Sequence, residues 1–125
     1  MTHFPARHAT ADDEPPRLTL RIRCGDEWRR WFLFRQIVGD TGERIPIDVS
    51  SHSFRAWVSI QANDDTLEEM AVDMSRAVDG VVSLSLTEEQ TGGLLPAVYR
   101  WRMIGQAPGD VEKTAICGQL EITRR

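Results

Sequence analysis

The sequence predicts an all-β fold, an antiparallel sandwich of about seven short strands with one short helical turn. Three observations predict it. Apolar and polar residues alternate with a period of two in one segment after another, Gly-, Asp- and Pro-containing turn signals separate those segments, and no stretch keeps a helical period for the length of a domain-building helix.

Composition sets the outer limits. At 125 residues the chain has room for one domain, and 41% hydrophobic with 27% charged residues is ordinary globular usage. Four Trp and four Phe supply much of the expected core. A net charge of −4 argues against nucleic acid as the main partner, because phosphate binding needs a clustered basic surface. The arginines Arg17, Arg21, Arg23, Arg29 and Arg30 are instead read as the wet faces of strands, since the first three fall at even spacings. No signal segment and no apolar run of membrane-spanning length is read, so no membrane partner is expected. Cys24 and Cys117 fit neither a metal cluster nor a disulfide scaffold and are read as free thiols, with a bridge between the chain ends as the minority alternative.

Residues 1–16, with Pro5, Pro15 and Pro16 and no apolar period, read as an N-terminal arm whose one large apolar anchor is Phe4. Residues 17–125 read as the sandwich. Leu18, Leu20 and Ile22 alternate with arginines and Thr19 in a half-buried strand, and Cys24–Glu27 turns the chain into Trp28–Arg35. There Trp31, Phe32, Leu33 and Phe34 are consecutive, which predicts a strand packed on both sides or carrying a bulge. Gly39-Asp40-Thr41-Gly42 is a turn, and the proline-broken Ile45–Val49 is an edge or a connection.

Phe54, Ala56, Val58 and Ile60 form the inward side of a third strand. Met70, Val72 and Met74 suggest a fourth, and Val82, Leu84 and Leu86 a fifth after the Asp79-Gly80 turn. Thr87 with Gln90 three residues on is a capping-box signature, stopped by Gly92-Gly93, so one helical turn fits there. Tyr99, Trp101 and Met103 then alternate with Val98, Arg100 and Arg102, and Pro108-Gly109-Asp110 closes a hairpin into Ile116, Gly118, Leu120 and Ile122. Tyr99 follows a helical turn at a strand entrance, which suits either a tyrosine corner of a sandwich or a plain core tyrosine.

No residue set carries catalytic spacing, so no catalytic, cofactor-binding or metal-ligating residue is assigned and the chain is expected not to be an enzyme. His3 and His8 lie in the arm and His52 in a Ser-rich connection, which reads as surface histidine. Asp64-Asp65 and Glu68-Glu69 border a turn, where charge favours solvation over catalysis or calcium. Gly92-Gly93 lacks the lysine of a phosphate loop.

Trp57 is the most informative side chain, because alternation puts it beside Arg55, Ser59 and Gln61 on the face opposite Phe54 and Val58. Its ring could meet a neighbouring protein subunit, a stacked sugar, or a second internal layer. The candidate interface residues are Phe4, Arg7, Trp57, Arg124 and Arg125.

Three stretches carry a family resemblance. They are Ile22-Arg23-Cys24-Gly25-Asp26-Glu27-Trp28, then Gly42-Glu43-Arg44-Ile45-Pro46-Ile47-Asp48-Val49, and last Gly80–Thr91 through Tyr99-Arg100-Trp101 with the closing Gly118-Gln119-Leu120-Glu121-Ile122-Thr123-Arg124. Together they resemble the small immunoglobulin-like modules of tailed-phage structural proteins, similar to the N-terminal domains of baseplate upper and tail-fibre proteins. The pattern departs at Ala97, where the family tends to glycine, at Arg102, where aspartate is common, and at Ser50-Ser51, which replaces Thr-Gly.

The resemblance implies an immunoglobulin-like sandwich. It also implies a virion structural component of tail, baseplate, fibre junction or neck, made in the host cytoplasm and binding other virion proteins in a symmetric, multi-copy assembly. An arm could add to a neighbour's sheet edge, with Phe4 as anchor. The alternative from another class is a carbohydrate-binding sandwich module using Trp57 with Trp28 or Trp31 as stacking platforms.

Overall fold

The structure, a computed structural model, describes residues 15–37, 39–60 and 65–125. Among them the chain forms β1 (Leu20–Arg23), β2 (Trp28–Leu33), β3 (Arg35–Ile37), β4 (Arg44–Pro46), β5 (Ser53–Ser59), β6 (Thr66–Glu69), β7 (Ala71–Arg76), β8 (Val81–Leu86), β9 (Ala97–Gln106) and β10 (Lys113–Thr123). A single 3-10 turn, Ala77–Asp79, precedes β8, and the five-residue helix α1, Glu88–Gly92, follows it. The expected all-β sandwich is present. It has ten strands among the described residues rather than about seven.

Two features account for the difference. The connection after β2 holds its own two-stranded hairpin, β3 with β4, in which Gln36 pairs with Ile45. The fourth expected strand is two strands in different sheets. Met70 is the crossing point: it is 3% exposed, its N–H donates to the Ala56 carbonyl at 2.9 Å, and the chain passes from β6 in one sheet to β7 in the other.

The larger sheet runs β1-β10-β9-β5-β6 and the smaller β2-β8-β7. Strands β2, β8 and β7 stand where immunoglobulin domains place B, E and D, and β10, β9, β5 and β6 where variable-type domains place G, F, C and C′. One pairing departs from the antiparallel expectation. Strand β1 lies parallel to β10, Leu20 opposite Leu120 and Ile22 opposite Ile122, and the chain then crosses to the smaller sheet as β2. Pairing begins before β1, where the Cys117 N–H donates to the Pro16 carbonyl at 3.1 Å.

Alternation builds the core. Leu20, Ala56, Val58, Trp101 and Leu120 from the larger sheet face Phe32, Val82 and Leu84 from the smaller, all buried. The run Trp31–Phe34 is not packed on both sides: β2 is an edge strand, Phe32 and Phe34 are buried, and Trp31 is 47% exposed on the outer face. The β5–β6 pairing shifts register between Val58 and Ser59, while the β5–β9 pairing runs unbroken and sets Ser59, itself buried, beside Arg100; Ile60 is half-buried just past the end of β5. A second irregularity, between Thr114 and Ile116, buries Ala115 and resets β10 so that Leu120 and Ile122 still point inward.

The corner before β9 has the sandwich form. The Tyr99 hydroxyl donates to the Leu95 carbonyl at 2.6 Å, four residues upstream, which decides for the tyrosine corner. Helix α1, which precedes the corner, starts with a complete capping box, the Gln90 N–H donating to Thr87 Oγ1 at 3.1 Å and the Thr87 N–H to Gln90 Oε1 at 2.9 Å.

Candidate interaction face

The outer surface of the five-stranded sheet holds the candidate site. Register aligns one transverse row across it: Glu69 of β6 opposite Trp57 of β5, Trp57 opposite Arg102 of β9, Arg102 opposite Cys117 of β10, and Cys117 bridged in parallel to Arg17. The next row sets Ser59, Arg100 and Gln119 side by side. Between the rows lies an open groove of about 370 Å³, lined among others by Arg17, Trp57, Arg100, Arg102, Cys117 and Gln119.

Trp57 is partly exposed at the centre of this arrangement. The Arg102 guanidinium carbon sits 4.8 Å from the ring centroid and that of Arg55 5.6 Å, so two cations flank one indole. Each such contact at an exposed site contributes about 0.5–1 kcal/mol and, more to the point, fixes the ring in place. Arg55 also contacts Glu69 Oε1 at 3.3 Å, and Arg21 contacts Glu121 at 3.4 Å. Both pairs are exposed and add little stability.

The face is basic although the whole chain is acidic. Arg17, Arg21, Arg23, Arg55, Arg100 and Arg102 project from it against Glu69 and Glu121. The arginine stripe read from the sequence is split by the fold: Arg17, Arg21 and Arg23 belong to this sheet, while Arg29 and Arg30 lie on β2 of the other. The missing members were Arg55, Arg100 and Arg102. Their alternation with Ala56, Trp101 and Met103 is visible in the sequence, but that they meet Arg17 around Trp57 depends on cross-strand pairing.

Of the candidate interface residues, Phe4 and Arg7 lie outside the described residues. Arg124 and Arg125 are exposed beyond the end of β10, and the Arg125 side chain packs over Gly25. Seven residues of strand separate Arg124 from Cys117 in the Trp57 row, roughly 23 Å at the usual rise, so these arginines are not part of the same patch.

The other aromatic candidates are apart from Trp57. Trp28 packs against the core, and Trp31 lies on the outer face of the smaller sheet with the Arg76 guanidinium 5.8 Å from its ring. Cys24 and Cys117 are free, the former directing its thiol to the Leu94 carbonyl at 3.7 Å, so the bridge is not formed. His52 stacks beside Phe54 with ring centroids 6.0 Å apart. His3, His8 and Asp64 lie outside the described residues. Among the described residues no group of three or more His, Cys, Asp or Glu is placed to hold a metal ion, and no helix is long and apolar enough to cross a membrane.

No protein-family model and no curated protein matches the chain. Among solved structures it is similar to the N-terminal domain of phage TP901-1 ORF48, over 98% of this chain and 95% of that one, at 10% sequence identity and a TM-score of 0.47.

Proposed function

We propose that the chain is a non-enzymatic structural module of a phage virion, a connector in tail, baseplate, fibre junction or neck that binds adjacent virion subunits in many copies. The observation that carries the contact is Trp57, partly exposed on an open sheet face with the guanidinium groups of Arg55 and Arg102 over its ring. An indole with arginine neighbours has the composition of an interface centre rather than of idle surface. The virion setting rests on the resemblance of the Gly42–Val49, Gly80–Thr91 and Gly118–Arg124 stretches to tailed-phage modules. Neither a membrane nor a nucleic acid is part of the reading.

The glycan-binding alternative draws less support. Trp57 and Trp31 sit on opposite outer faces and Trp28 packs against the core, so a platform of two rings has no side of the sandwich on which to form.

The test is particle assembly with Trp57→Ala. The expected result is loss of the protein from purified particles while the isolated variant still melts cooperatively. Normal incorporation of Trp57→Ala would remove this face from the contact map. A fluorescence titration that stays flat across a glycan panel is expected in parallel, and a saturable tryptophan response to one sugar would favour the alternative.

A further inference from the structure

The groove beside Trp57 is bordered by the chain's own point of entry. The Pro16 carbonyl and the Leu18 N–H both bond Cys117, at 3.1 and 2.9 Å, which pins Arg17 to the rim of the sheet. Immediately upstream in the sequence is Asp12-Asp13-Glu14, three consecutive carboxylates that lie outside the described residues. The densest acidic run of the chain and this basic sheet face are opposite in sign.

The approach direction favours a second molecule. Pro15 precedes Pro16 and is thereby confined to extended backbone. Residues 16–18 run parallel to β10, so the chain reaches the rim along the strand direction, whereas the row Arg17–Cys117–Arg102–Trp57 runs across it. That row spans three strand spacings, roughly 14 Å. For Asp12 or Asp13 to reach their own Arg102, the chain would have to turn at right angles beside a proline pair. Asp12 lies three residues before Pro15, roughly 10–11 Å of extended chain, so the acidic run reaches the face of a second copy packed directly alongside.

We infer that Asp12-Asp13-Glu14 of a second copy of this chain seats on Arg17 and Arg102 beside Trp57. The inference rests on the reading that this face is the contact surface and names its occupant. The contact joins two different surfaces, so copies close by reciprocal exchange or as a ring. Because exposed charges supply the attraction, added salt weakens it, with screening over about 10 Å at 0.1 M.

The experiment is sedimentation velocity and native mass spectrometry on the full chain over a range of protein and salt concentrations. Wild type is expected to self-associate, less so with salt. An Asp12→Lys/Asp13→Lys chain and an Arg17→Glu/Arg102→Glu chain are each expected to bind themselves roughly tenfold or more weakly, and a mixture of the two to regain association, since reversed arm then meets reversed face. A cooperative melt of each variant, with a Tm near that of wild type, distinguishes lost association from a folding defect.

A wild type that stays monomeric at every concentration overturns the inference, as does association indifferent to both reversals or a mixture that fails to recover. Failure of this kind, with Trp57→Ala still lost from particles, leaves the contact face standing and removes only the proposed occupant. Normal incorporation of Trp57→Ala removes both.

Discussion

Phe32 of β2 and Trp101 of β9 pack from opposite sheets with ring centroids 6.0 Å apart and planes tilted by 36°. Trp101 stands two residues after the tyrosine of the corner, the place where antibody domains carry the second cysteine of their inter-sheet disulfide. An aromatic pair here does by dispersion and burial what a covalent bridge does there, and Cys24 and Cys117 remain free.

The first prediction compares neighbours in sequence. Phe32 is 2% exposed and Trp31 is 47% exposed, one on each face of β2. Phe32→Ala should lower unfolding free energy by about 3–5 kcal/mol, through lost burial and a cavity against Trp101. Trp31→Ala should cost no more than about 1 kcal/mol, because it removes an exposed ring and one cation contact. Urea denaturation of the two variants measures this, and equal losses would contradict the assigned faces.

Gly118 tests how β1 is fastened. The Trp101 indole N–H donates to the Leu18 carbonyl at 2.8 Å, and Leu18 reaches it by crossing directly over Gly118, where an added Cβ would collide with that carbonyl. Gly118→Ala must therefore push the Leu18 backbone away and leave the buried indole N–H without its acceptor, at a cost of about 1–3 kcal/mol. The expected readout is faster amide exchange at Leu18 and Leu20 together with a lower Tm. Unchanged exchange at those amides would show that β1 does not depend on the crossing.

Tyr99 supplies a pH prediction, and as the single tyrosine it titrates without overlap. Burial raises its pKa above 10.0, and the nearby Cys24 thiol pushes the same way. The proton is also the one donated to Leu95, so ionisation opens the corner. A raised folded pKa means that the stabilisation is intact below pH 10.0 and is lost as pH rises through the folded midpoint. Phenolate absorbance should show a midpoint above 10.0 in the folded protein. Tyr99→Phe should remove the corresponding alkaline fall in stability, and a variant with the same alkaline fall as wild type would place its origin elsewhere.

The legible parts of this fold were local ones. Thr87 and Gln90 announced the capped turn because both partners of a capping box sit within four residues, and Val82, Leu84 and Leu86 announced β8 because inward burial repeats every second residue. What stayed hidden required knowing which strand lies beside which. Met70 continues the alternation of its neighbours, so the pattern has no break where the chain changes sheets. The parallel partnership of β1 and β10 pairs residues about one hundred positions apart. Trp57 was recognisable as an outward ring by its parity, yet its two arginine neighbours come from different causes: Arg55 is close in sequence, and Arg102 arrives only through the β5–β9 register.

Gly80 gives the last prediction, because three chain segments converge on it. Its carbonyl accepts from the Phe34 N–H at 2.8 Å, its N–H donates to the Ala77 carbonyl at 3.0 Å, and the Phe34 carbonyl in turn accepts from Ile47 at 3.0 Å. At φ 80° the backbone is in the left-handed region, and a Cβ would lie 2.8 Å from the carbonyl oxygens of both Phe34 and Ile47. Gly80→Ala thus combines left-handed strain of roughly 1–2 kcal/mol with a clash against backbone that has no rotamer in which to retreat. The bonds that give way are those tying Phe34 and Ile47 together at the base of the β3–β4 hairpin, so the damage should concentrate there. Amide exchange at Phe34 and Ile47 should accelerate more than at Val58 or Leu120 in the larger sheet. Uniform acceleration across both sheets would mean that this junction holds the whole sandwich rather than the hairpin alone.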